Sequence, residues 1–152
     1  MIRADHISKT FEGRTVLNDI SVEFDTGKTN LIIGRSGSGK TVLLKSLVGL
    51  HDVDKGKIYY DNTCYTDLNF KERKDIRKDI GMIFQGGALL DSSNVRENVR
   101  LPLDLFTTMS EGEKRDRVDF CLERVKLTGA NHLYPSELSG GMVKRVAIAR
   151  AI

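Results

Sequence analysis

The sequence predicts an α/β fold: a mixed sheet core with a helical insert over residues 86–138. Three observations predict it. Strand-like segments fill residues 1–85, a short unbroken apolar run leads through a glycine loop into a leucine-rich helix, and strand patterns stop after Gly86. At 152 residues the chain is about one domain long, enough to bury a core.

Residues 1–27 read as antiparallel strands joined by turns. In "VLNDISVEFDTG", Ile20, Val22 and Phe24 fall on one side, the alternation of a half-buried strand. The segment "TNLIIG" (29–34) differs, because Leu31, Ile32 and Ile33 run without interruption, as in a strand covered on both faces. "GKIYYDN" (56–62) and "DIGMIFQ" (79–85) give two further strands. "KERKDIRKD" (71–79) interleaves both charge signs and reads as a solvated face. In the insert, helices are expected over 94–105 and 111–126. Ser110 and Glu113 form a capping box for the second, and Val118, Cys121, Leu122 and Val125 supply its buried stripe.

The bulk numbers exclude several classes. A net charge of +3, from 24 basic and 21 acidic residues, is too mild to indicate nucleic acid, and none is expected as a partner. Cys64 and Cys121 lack the spacing of a disulfide framework or zinc site, so reduced thiols are expected, with Cys121 in the core. No stretch has the apolar run of a signal peptide or membrane span, and a cytosolic location follows as the expectation.

Chemistry enters at Gly34-Arg35-Ser36-Gly37-Ser38-Gly39-Lys40-Thr41, which fits GxxxxGK(S/T), the P-loop. Glycines allow the backbone to curl so that successive N–H groups face a polyphosphate. The following helix adds its positive dipole end. Lys40 is expected at the β- and γ-phosphates and the Thr41 hydroxyl at Mg²⁺. A dinucleotide-binding loop is excluded, because GxGxxG read from Gly37 and Gly39 meets Val42 where the third glycine belongs. Two further features are Gln85, closing an apolar strand, and "LSGGM" (138–142), heading a helix. Separately these read as a surface glutamine and a Ser-capped helix start.

In this order after a P-loop, the motifs resemble the nucleotide-binding domain of ABC transporters along the whole chain. The resemblance implies a P-loop NTPase (RecA-like) core with an N-terminal antiparallel β subdomain and an α-helical subdomain. It divides the chain into a nucleotide-binding core (1–85), a helical subdomain (86–138) and a signature helix (139–152). It implies ATP and Mg²⁺ as cofactors. Phe11 takes the place of the aromatic that stacks on adenine, with Val16 beside it. Gln85 matches the glutamine that touches Mg²⁺ or the attacking water and connects to the membrane subunits. Leu138, Ser139, Gly140, Gly141 and Met142 match the signature motif, an anion site at a helix N-terminus that meets the γ-phosphate held by a second copy. Met142 stands where glutamine is common. The implied partners are transmembrane permease subunits and a second ATPase copy, with the protein peripheral on the inner face of the cell membrane.

"PSELSGGMVKRVAIARAI" and "GALLDSSNVRENVRLPL" further resemble the ATPases of Mla/MCE phospholipid-transport systems. An amino-acid or lipoprotein-type ABC ATPase is the competing subfamily. A non-transport ABC protein and a nucleotide-binding regulatory domain stay open as well. In the family the Mg²⁺-binding Asp, the catalytic Glu and a switch histidine follow the signature helix. His6, His51 and His132 all precede it, so no catalytic carboxylate or switch histidine of that kind is expected before Ile152, and the sheet is expected to be incomplete. Phosphoryl transfer depends on positioning and charge neutralisation. The 152-residue chain is therefore expected to hold ATP without efficient turnover. Phosphate release from MgATP at background rate is the expected result, and robust Mg²⁺-dependent turnover by this chain would contradict it.

Overall fold

The computed structural model describes residues 1–152, which divide into two compact units, Met1–Arg77 and Lys78–Ile152. Each has its own apolar core.

In the first unit β1 (Ile2–Phe11) and β2 (Arg14–Phe24) form a hairpin, followed by α1 (Lys40–Leu47), β3 (Lys55–Tyr60), β4 (Thr63–Cys64) and α2 (Phe70–Arg77). The sheet order is β2-β1-β3-β4 and every pairing is antiparallel. Ala4 is the register point at the centre, opposite Val22 on one side and Ile58 on the other. The expected alternation of Ile20, Val22 and Phe24 is present, all three packing on the core around Ile7, Leu17, Leu43 and Ile58.

The hairpin is not regular. The register slips between Ala4 and Ile7, where His6 and Asp19 both take left-handed backbone angles (φ 51° and 54°). Local polar groups hold the bulge: His6 Nδ1 lies 2.7 Å from Asp19 Oδ1, and the His6 and Asp19 amides donate to the Ser21 and Ser8 hydroxyls. The Asp19 carboxylate raises the pKa of His6 above its ordinary value. The bulge carries Ile7 to the buried face where strict alternation from Ala4 would place it outside.

Helix α1 is fixed to this sheet at three points. Leu43 and Leu47, one turn apart, are buried in the core. The Tyr60 hydroxyl donates to the Leu47 carbonyl at 2.6 Å, serving an otherwise free C-terminal acceptor, and burial pushes the Tyr60 pKa up to about 12. Beyond the helix the chain turns at Gly49 (φ 71°), where a Cβ would overlap the Tyr65 hydroxyl. That hydroxyl also accepts from Arg77 Nε at 2.9 Å.

Two expectations need correction. Residues 29–34 and 79–85 carry strand patterns, yet neither forms a strand. An apolar run becomes a strand only beside a chain that takes up its N–H and C=O groups, and neither run belongs to a ladder. Leu31 and Ile33 are 82% and 80% exposed, the reverse of a doubly covered strand. The sheet is incomplete at these positions. The charged stretch 71–79, expected only as a solvated face, is solvated but lies largely on α2, which buries none of its residues. Its N-terminal signal is Asn69 with Glu72: the Asn69 side chain accepts from the Lys71 and Glu72 amides, and Glu72 accepts from the Asn69 amide.

The second unit packs α3 (Val95–Phe106), α4 (Glu111–Arg124) and α5 (Gly140–Ala151) around Val95, Val99, Val118, Leu122, Val146 and Ala149. The expected helices and the Ser110–Glu113 capping box are present. Val118, Cys121 and Leu122 are buried and Val125 packs against the same cluster. Burial pushes the Cys121 thiol above its usual pKa, and both cysteines are free. Asn98, fully buried, accepts from the Leu90 amide at 2.8 Å and donates to the Leu90, Ser93 and Asn94 carbonyls.

The contrast between two glycines of similar φ tests the anchoring of α1. Gly49→Ala combines an unfavourable backbone angle with overlap at Tyr65 and is expected to lower unfolding free energy by about 3 kcal/mol. Gly27→Ala (φ 72°), in open space, meets only the backbone cost of about 1 kcal/mol. Urea titration of both variants checks the difference, and equal losses would contradict it.

Candidate functional site

The glycine loop is built by backbone angles that side chains resist. Gly34, Gly37 and Gly39 have φ of 158°, 77° and 90°, the last two in the left-handed region where Cβ is penalised. At Gly39 space is limited as well: a Cβ would lie 3.0 Å from the Val16 carbonyl and 3.2 Å from Leu17 Cδ2. The loop therefore packs directly on β2 at Val16 and Leu17. The Ser38 amide closes the turn on the Arg35 carbonyl at 3.2 Å.

Gly39 is the N-cap of α1, with no side chain closing the helix. The first helical bond runs from the Leu43 amide to the Gly39 carbonyl at 2.8 Å. The amides ahead of Leu43 are the free donors of a helix N-terminus, next to the positive end of its dipole. Lys40 folds back over the loop, its Nζ donating to the Gly34 and Arg35 carbonyls at 2.8 and 2.7 Å. One cation and the positive end of a helix thus meet at a glycine-rich turn. This donor set fits a polyphosphate, and the exposed Thr41 hydroxyl in the first turn fits a place beside a phosphate-bound cation.

Phe11 ends β1 with its ring 37% exposed. His51, just past α1, meets it edge-on with ring centroids 5.2 Å apart, and Lys9 Nζ lies 5.4 Å from its centroid. Lys9 and the Thr10 amide both hydrogen-bond to Asp54, at 2.8 and 2.6 Å. Sequence reading did not single out His51, Lys9 or Asp54, because nothing in their spacing foretells that β1 and the 51–54 segment meet.

In the second unit Gln85 is exposed at the first central position of a tight turn, closed by the Gly87 amide on the Phe84 carbonyl at 3.0 Å, with Gly86 at φ 81°. Leu138 accompanies a 3-10 turn (Pro135–Glu137) into the N-terminus of α5. Ser139 caps that helix, its Oγ accepting from the Met142 amide at 3.3 Å, while Cβ positions at Gly140 and Gly141 are open. Met142 packs on the helical core, so its departure from glutamine replaces a polar tip with apolar packing. Arg150, at the far end of α5, donates to the Gly87 and Ala88 carbonyls at 2.7 and 2.8 Å. Burial lowers the pKa of its guanidinium.

A P-loop at a helix N-terminus and a second helix opened by Ser-Gly-Gly define a nucleotide-binding cassette. The ABC transporter family model matches residues 17–152, and the chain belongs to that family. It is 40% identical to the methionine import ATP-binding protein MetN of Campylobacter jejuni, covering all of this chain and 50% of that protein. It is 38% identical to the probable ribonucleotide transport ATP-binding protein mkl of Mycobacterium leprae, covering 99% of this chain and 44% of that protein. The chain thus spans about half the length of the curated relatives it matches. Among solved structures it is similar to a dimeric ATP-binding cassette in a post-hydrolysis state bound to ADP and Pi, with a TM-score of 0.90 and 37% identity over all of this chain and 69% of that one. No helix is long and apolar enough to cross a membrane.

Ser139→Ala is expected to cost about 1 kcal/mol through loss of the cap on α5, whereas Met142→Gln leaves the cap intact. Amide exchange over Gly140–Val143 checks this: faster exchange in the first variant alone is the expected pattern, and equal behaviour would contradict it.

Proposed function

We propose that this chain is the ATP-binding part of an ABC transporter subunit that couples ATP binding and hydrolysis to transport. The observation that carries the reading is the P-loop itself, in which Lys40, the α1 N-terminus and glycines with positive φ occur in one turn. The loop amides and Lys40 bind the phosphates, and Thr41 and Gln85 serve Mg²⁺. Phe11 is the platform for the base, held by His51 and the Lys9–Asp54 contact. Leu138 to Met142 offer the second anion site, used by the nucleotide of another copy in a head-to-tail dimer. Bound ATP supplies the phosphoryl group to be transferred; these residues orient and neutralise it. The subunit works at the cytoplasmic face of the membrane through permease partners.

The cargo reading is phospholipid, supported by the likeness of residues 87–103 and 135–152 to phospholipid-transport ATPases. Amino-acid import is the second reading, favoured by the name of the methionine-import relatives. A strain lacking the gene separates them: a lipid defect in the envelope with intact methionine uptake fits the first, and the reverse fits the second.

Lys40→Ala is expected to weaken binding of MgATP at least tenfold, and Phe11→Ala by about 1–3 kcal/mol through lost stacking. Calorimetric titration of the purified chain measures both. Unchanged affinity in Lys40→Ala would overturn the assignment of the loop.

A further inference from the structure

Arg150 sits at the opposite end of α5 from Ser139, yet its two terminal nitrogens grip the carbonyls of Gly87 and Ala88, directly after the Gln85 turn. The fit is tight beside this grip. A Cβ on Gly87 would lie 2.9 Å from Val143 Cγ1 and 3.6 Å from Ala147 Cβ, so the backbone after the turn rests closely on the Val143 and Ala147 side chains of the helix. Downstream, Asn98 holds Leu90 by amide and carbonyl together. The segment 86–90 is therefore bound by charge-assisted hydrogen bonds on one side and a buried amide on the other, although it has no regular secondary structure of its own.

We propose that Arg150 is a positioning residue that locks the Gln85 turn to the helix carrying Ser139, Gly140 and Gly141, so that a displacement at the turn is carried to the anion site at the helix mouth. A helix is stiff along its axis, and a bidentate guanidinium fixes direction as well as distance. Packed contacts of this kind shift between discrete arrangements rather than deform gradually. The functional meaning rests on the proposed roles of Gln85 and the Ser-Gly-Gly helix start, because the lock then links two nucleotide contacts within one chain. The lock itself needs no nucleotide.

Arg145 provides a control on the same helix. It donates to the Val125 and Lys126 carbonyls at 3.4 and 3.1 Å and does not touch the turn. Residue-resolved amide exchange and chemical shifts on the 152-residue chain, without nucleotide, test the proposal. Arg150→Ala is expected to speed exchange at Gly87 and Leu90 by about tenfold, and Arg145→Ala to leave both unchanged. The decisive readout is transmission. Gly86→Ala strains the turn, and the shifts it produces at Gly140–Val143 are expected with Arg150 present, largely absent with Arg150→Ala, and intermediate with Arg150→Lys, which retains the charge but not the fork. If Arg150→Ala does not fold, Arg150→Lys decides. Full transmission in either variant, or no transmission with arginine in place, overturns the proposal. A failed ATP titration would leave this result untouched, so the two readings fail separately.

Discussion

Everything at the candidate site depends on a backbone constraint: amides can surround an anion only where the chain turns through angles that side chains resist. Gly37 and Gly39 supply those angles, and at Gly39 the packing on Val16 and Leu17 leaves little room for a Cβ as well. The curl alone would be floppy. It is held because the helix it opens is anchored through Leu43, Leu47, the Tyr60 hydroxyl and the Gly49 turn. Sheet, helix and loop form one chain of support, and Lys40 is the charge placed at its end.

The second unit applies the same economy to a segment without regular structure. Residues 86–94 run between the Gln85 turn and α3, and their polar groups must be served in place. Asn98 satisfies one end from within the core and Arg150 the other from α5. Both side chains are polar where an apolar residue would pack more simply, and both act on backbone carbonyls. They give an irregular stretch a defined path, and that path determines where Gln85 stands.

Features with local causes were legible in the sequence. The P-loop, the capping box at Ser110 and Glu113, the α4 stripe and the alternation from Ile20 to Phe24 each follow from residues a few positions apart. Features that need a distant partner were not. The bulge at His6 and Asp19 depends on serines on facing strands, and the Phe11 surroundings depend on a meeting of residues 9–11 with 51–54. Residues 29–34 and 79–85 carry strand patterns without forming strands, because side chains show an inclination to pair and say nothing of whether a pairing chain is there. Helix α2 shows the opposite case: its charged pattern has no apolar stripe, and the Asn69 and Glu72 cap is its one local signal.

The most direct test of the account is a titration of the isotopically labelled chain with MgATP, followed by amide resonance. The account predicts saturable shifts that are largest at Gly37, Gly39, Lys40 and Thr41, with the Lys40 ammonium leaving the Gly34 and Arg35 carbonyls for phosphate. Saturable binding with the largest shifts elsewhere and the loop unmoved would contradict it.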